Sequence, residues 1–317
     1  MNGELPIEPP TSEPTQVREN LAPQALSDEI VGAEIDRCAA FLPTIPAILQ
    51  KLETEMASEW VNVSRLANLV RTDPSLAGSV LKVANSPLWR GATQITEVEE
   101  AIQRLGKNNL KSIATVMALK QGGFPQTGLL GSNLHAFWRH SLLVAAGAVQ
   151  IVRAESTDHS LLDQVWFAGL LHDLGALVAP LLYPLEWERM SDHILSRSPE
   201  SEPTTLNELS KTYLGIDYAR IGGAFASRAW NTPQTVSVMA SFWPTPDSID
   251  PPFVAWAIHR ADQAAQTLGV CWQPETLRAQ SLENLPPDTA AGAAVDADFC
   301  RLCMEKHRPL VDALLTP

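Results

Sequence analysis

Four residues in this chain carry the chemistry of a metal site: His140, the pair His172-Asp173 within LLHDLG, and Asp262 within IHRAD. Each sits in an apolar stretch with helical periodicity. Imidazole nitrogens and carboxylate oxygens together form a ligand set for a divalent ion, and such an ion can activate water for phosphoester hydrolysis. The residues are far apart in sequence, so a shared ion requires several helices to converge, as in the metal sites of helix bundles. Successive helical residues point about 100° apart. His172 and Asp173 therefore reach one ion only if their helix presents its edge to it. Gly169 and Gly175 flank the pair and would allow neighbouring helices close approach. The competing reading is structural, because a buried His–Asp contact can serve packing alone. Spacing by itself leaves both readings open.

A second grouping is weaker. Cys300, Cys303 and His307 have a C-x₂-C-x₃-H spacing. A closed zinc site takes four ligands, and no fourth donor lies near. On a helix the three share one face, which suits burial. The tryptophans at 138, 166, 187, 230, 243 and 256 mostly fall on apolar helical faces and read as core.

The elements that must position these residues are helical almost throughout from Ser27. Alternating β-branched runs are nearly absent, so little or no sheet is expected. Asn62 can cap a helix carrying Val63, Leu66, Leu69 and Val70 on one face. Asp73-Pro74 is a strong helix start, with an acceptor for free N–H groups and proline at the first position. That helix ends near Asn85-Ser86-Pro87. Thr96 with Glu99 forms a capping-box pattern, and Gly106 is placed to end the following turns. Further helices are predicted over 109–121, 134–152, 161–181, 206–214, 218–230, 233–242, 253–268 and 298–315, with a polar loop over 196–205. The first 26 residues, rich in proline and poor in large apolar groups, read as a disordered leader.

Composition sets limits. At 317 residues and 45% apolar content, the chain can build one large core or two smaller ones. A net charge of −13 repels phosphate backbones, so no nucleic-acid partner is expected. No apolar run reaches membrane-spanning length. Four cysteines do not make a disulfide framework. The expectation is a cytoplasmic protein with no membrane partner.

The surroundings of the His and Asp residues carry a resemblance. FWRHSLLVAAGAVQIV, VWFAGLLHDLGALV, YLGIDYARIGGAFASRAWNTP and FVAWAIHRADQAAQ resemble the HDOD family, a bacterial signalling branch of the HD superfamily of metal-dependent phosphohydrolases. Upstream, FLPTIPAILQKL, VSRLANLVRTDPSLAGSVLKVANSP and ITEVEEAIQRLGKNNLKSI match as well. The resemblance covers about residues 39–268. It implies His140 as the first histidine of the HD signature, His172 and Asp173 as the doublet, and Asp262 as the closing aspartate.

The departures from the pattern are equally specific. Many relatives read GxDHAxxG where this chain has Tyr218, often carry His-His where it has Phe242-Trp243, and the catalytic HD-GYP cousins carry lysine where it has Ala176. A phenol with a pKa of about 10 is a poor ligand for hard ions, and Phe and Trp cannot ligate. A second metal therefore has too few donors, and two-metal chemistry is not expected. Tyr218 is expected to fill the vacated space and bond Asp173 or His172.

The resemblance thus implies an all-α fold of two packed helical lobes, 27–130 and 131–270, after a leader over 1–26 and before a C-terminal appendage over 271–317. The expected function is a non-catalytic bacterial signalling module with a degenerate HD site, acting through signalling proteins or a small nucleotide. The alternative is a phosphohydrolase or phosphodiesterase holding one divalent metal (Mn, Fe, Mg or Ni) on His140, His172, Asp173 and Asp262, with Asp173 also orienting the attacking water.

Overall fold

All regular structure in the computed structural model is helical among the described residues. These are residues 27–38, 47–56, 60–86, 89, 93–121, 124, 128–198, 200–229, 253–274, 276–277, 302, 305 and 308. The elements are α1 (Asp28–Cys38), α2 (Ala47–Met56), α3 (Val63–Arg71), α4 (Pro74–Ala84), α5 (Val98–Gln121), a 3₁₀ turn (Gly128–Asn133), α6 (Leu134–Arg153), α7 (His159–Leu171), α8 (Leu174–Leu182), α9 (Pro184–Leu195), α10 (Leu206–Leu214), α11 (Tyr218–Ala229) and α12 (Phe253–Thr267). The helices expected over 233–242 and 298–315 lie outside the described residues, apart from positions 302, 305 and 308, which are helical. Phe242, Trp243, Cys300, Cys303 and His307 also lie outside them.

Local signals set many of the boundaries. The Asn62 side chain accepts from Arg65 N, and Asp73 Oδ1 accepts from the amides of Ser75 and Leu76, with Pro74 opening α4. Such caps satisfy amides that have no partner within the helix. Gly106 interrupts α5 at φ 80° and ψ 164°, a conformation costly for any residue with a Cβ. The Thr96/Glu99 capping box does not form. Glu99 instead accepts from the Ser64 hydroxyl, tying α5 to α3. A true capping box occurs at α10, where Thr205 and Glu208 bond reciprocally.

α2 to α5 pack on one another as one group. In the second group α6 is central and lies against both α7 and α12, while α8 packs on α11. α1, although first in the chain, packs on α11 and α8. Nearly every side chain of α6 is buried, including Trp138, Leu142, Leu143, Ala146 and Val149. A helix that is apolar on all sides belongs at the centre of a bundle.

The helix predicted over 161–181 is broken. α7 and α8 meet at 45°, with His172-Asp173 in the turn between them. No single helix among the described residues is long and apolar enough to cross a membrane, although this bent pair passes by length and composition. Its side chains are largely buried in the protein core.

Candidate metal centre

Asp173 is in the α7–α8 turn rather than on a helix edge, and this lets two consecutive residues address one point. α6 supplies His140, the turn supplies His172 and Asp173, and α12 supplies Asp262. Close backbone packing brings these elements together. A Cβ on Gly169 would come 2.8 Å from Ala145 Cα of α6, and one on Gly147 would come 3.1 Å from Ala261 Cβ of α12. A Cβ on Gly175 would lie 1.7 Å from the Tyr218 carbonyl oxygen, so α8 and α11 are in backbone contact there.

All four predicted side chains converge. His140 Nε2 lies 3.1 Å from Asp262 Oδ1, 3.2 Å from His172 Nε2 and 3.4 Å from Asp173 Oδ2. His172 Nε2 lies 3.3 Å from Asp173 Oδ2. His140, His172 and Asp262 each place one ligand atom within 4.8 Å of the others. All four residues are at most 2% exposed.

The tautomers follow from the outer partners. His140 Nδ1 is 2.8 Å from the Val270 carbonyl oxygen, and His172 Nδ1 is 2.7 Å from the Gly169 carbonyl oxygen. A carbonyl can only accept, so both Nδ1 atoms carry a proton and donate it. Two neutral rings would then point bare Nε2 lone pairs at one another and at two carboxylates. That arrangement is repulsive unless positive charge sits at its centre, as a proton or a metal ion. Burial alone would lower the His140 pKa, but hydrogen bonds with Asp173 and Asp262 outweigh it and hold the imidazole well above its usual range. Asp173 is held well below the carboxylate range: burial opposes this, but His172 and His140 win.

The donor set fits a metal ion. Ligand atoms about 2.1 Å from a common ion stand about 3.0 Å apart at right angles and about 3.4 Å apart in a tetrahedron, bracketing the separations here. Nδ1–H groups anchored on backbone carbonyls are the usual outer support of metal-bound histidines. A bound ion would supply Lewis-acid activation of a water molecule.

Two further residues seal the cluster. The Tyr218 hydroxyl donates to Asp173 Oδ1 at 2.6 Å, as its place in the sequence predicts. The Trp272 indole N–H donates to Asp173 Oδ2, also at 2.6 Å. Both oxygens of Asp173 are therefore engaged by rings that are 2% exposed. Gln266 donates its side-chain amide to Asp262 Oδ2 at 2.9 Å. Burial, then Asp173, drives the Tyr218 hydroxyl well above its usual pKa, so it stays a donor. Ala176 is fully buried in α8, so a lysine there would have its charge inside the core.

Sequence reasoning missed Trp272, Val270, Gln266 and the Gly169 carbonyl. Gln266 and Gly169 could have been found, being four residues after Asp262 and three before His172. Trp272 is 99 residues from Asp173 and leaves no local signal.

The model of the HDOD domain family matches residues 42–245. An uncharacterized protein of Treponema pallidum (strain Nichols) is 23% identical over 220 residues, covering 69% of this chain and 40% of the relative. The chain thus spans two fifths of that relative's length. Among solved structures, a Shewanella amazonensis protein provisionally named a phosphohydrolase has a TM-score of 0.62 at 21% identity, over 89% of this chain and 97% of that one. A Marinobacter aquaeolei protein provisionally named a signal transduction protein has a TM-score of 0.65 at 18% identity, over 92% and 66% respectively. At these identities the likeness is one of fold.

Proposed function

The chain belongs to the HDOD domain family, and from that premise we propose that it is a non-catalytic signalling module whose His/Asp cluster is a buried centre of cohesion with room for one cation. One observation carries the reading: Tyr218 and Trp272 occupy both oxygens of Asp173, and the four cluster residues are at most 2% exposed. A phosphoester substrate needs a solvent-lined surface beside the ion and free carboxylate lone pairs to orient water. The described residues leave no solvent-lined surface beside the cluster, and the Tyr218 and Trp272 donors take up one acceptor site on each Asp173 oxygen. The signal transduction name of the Marinobacter relative points the same way. The module would act through contacts with signalling proteins or a small nucleotide.

A second reading, a one-metal phosphohydrolase, draws support from the convergence of the His140 and His172 Nε2 atoms and from the name of the Shewanella relative. The two readings separate in one experiment. The purified protein is assayed for bound metal by elemental analysis after incubation with Mn²⁺, Fe²⁺, Mg²⁺ or Ni²⁺, then for hydrolysis of phosphomonoesters and cyclic dinucleotides. The expected result is at most one ion per chain and no turnover. His172→Ala is expected to abolish any uptake. Metal-dependent turnover lost in His172→Ala would overturn the proposal, and unchanged stoichiometry in that variant would refute the ligand set.

A further inference from the structure

The described walls of the His/Asp cluster differ in how firmly they are held. α6, α7 and α12 touch at Gly169–Ala145 and Gly147–Ala261, and α8 meets α11 backbone to backbone at Gly175, where a Cβ would lie 1.7 Å from the Tyr218 carbonyl oxygen. Sliding these helices would break close packing along their lengths. The remaining wall is residues 268–274, which follow α12 without forming a helix. Gly269 turns the chain at φ 69°, in the left-handed region that glycine adopts without strain, and the Val270 amide closes back on the Ala265 carbonyl. Of the seven residues of this segment only Trp272 is buried; the others are half-buried or, at Gly269, exposed. The Val270 carbonyl accepts from His140 Nδ1, the Trp272 indole donates to Asp173 Oδ2, and the Trp272 ring meets Phe137 edge-on at 5.5 Å.

We propose that residues 268–274 form a strap that gates the cluster, with Trp272 as its latch: seated, it seals the four ligating side chains, and released, it admits a divalent cation. The inference rests on the reading of the cluster as a cation site and adds how that site opens. Release removes one outer support from each of two ligands, since His140 loses its Nδ1 acceptor and Asp173 loses a donor. Cation entry and strap position are therefore linked in both directions. The strap lies beyond residues 42–245, so the gate comes from sequence outside the match to the family model. A partner that holds the C-terminal region would thereby set access to the cluster.

The test uses the full chain and three proteins: wild type, Trp272→Phe and Trp138→Phe. Trp272→Phe keeps an aromatic ring and loses the N–H. Trp138 sits edge-on to the same Phe137 at 5.0 Å, and its indole N–H has no partner among the described residues, so its replacement controls for loss of ring volume. Backbone hydrogen exchange is followed by mass spectrometry, and Mn²⁺ uptake is followed by its rate. In wild type, peptides covering 268–274 should exchange faster than those of α6 and α12. Trp272→Phe should speed strap exchange and Mn²⁺ uptake about tenfold, as expected for loss of a bond to a buried carboxylate, while Trp138→Phe should leave both near wild type. Strap amides as protected as the flanking helices would overturn the gate. So would equal exchange in the two variants, or an uptake rate untouched by Trp272→Phe. If none of the proteins binds Mn²⁺ at equilibrium, the cation reading is what fails, and strap exchange still decides whether the segment opens.

Discussion

Tyr218→Phe removes the hydroxyl that bonds Asp173 Oδ1 at the centre of the cluster. The ring is 2% exposed and would be retained, so packing changes little. What is lost is the 2.6 Å bond to Asp173 Oδ1, a carboxylate that is itself 1% exposed. A hydrogen bond to a charged group contributes about 1.5–3 kcal/mol, and a buried oxygen left without its donor cannot recover that from water. The expected loss of stability is therefore about 2–3 kcal/mol. For a chain of this size that is a fall in unfolding midpoint of about 3–5 °C. Urea or thermal unfolding at pH 7, with chelator present, measures it. Tyr213→Phe is the control, because that hydroxyl bonds His193 near the surface and its loss should cost about 0.5 kcal/mol or less. If the wild type binds a cation, Tyr218→Phe should also weaken binding by about 10–100-fold, the usual effect of removing an outer partner of a ligand. Equal effects of the two substitutions would refute the reasoning, since Tyr218 would then contribute no more than a half-buried phenol bonded near the surface.

Two further substitutions probe the surroundings. Burial pushes the Asp217 carboxyl up to about 6, against the pull of the Ala219 amide that it caps. The folded state then holds a proton that the unfolded chain releases near pH 4, so stability falls as pH rises from about 4 to about 6 and stays reduced above that. Asp217→Asn keeps the capping acceptor and should flatten this slope, matching wild type near pH 4 and exceeding it by about 1–3 kcal/mol at pH 7. An unaltered slope in pH-dependent unfolding would rule Asp217 out as its source. Gly175→Ala would drive a methyl into the Tyr218 carbonyl, and relief requires backbone movement of α8 or α11. The expected cost is about 3 kcal/mol or more. Denaturation would show it, and a wild-type midpoint would mean that α8 and α11 do not touch at Gly175.

Periodicity and chain punctuation determined much about this protein. The caps at Asn62 and Asp73, the span of α6, the polar loop before α10 and the start of α12 follow from side-chain chemistry acting over three or four residues, and such effects are legible in a linear string. The residue types of the cluster were legible for the same reason that they are uncommon: imidazoles and carboxylates inside apolar helical stretches are costly to bury alone, so each implies a partner. Tyr218 bonding Asp173 followed from its place in a recognisable motif. Tertiary structure alone decided the remainder. The bend that puts His172-Asp173 in a turn depends on how α7 and α8 pack, because the stretch 161–181 by itself reads as one helix. The carbonyls of Gly169 and Val270 fix which nitrogen of each histidine faces the centre, and a carbonyl has no identity in the sequence. Trp272 falls in the stretch that reads as a C-terminal appendage, until the chain turns at Gly269 and lays it on a carboxylate 99 residues away, because a hydrogen bond depends on separation in space and sequence distance does not report it.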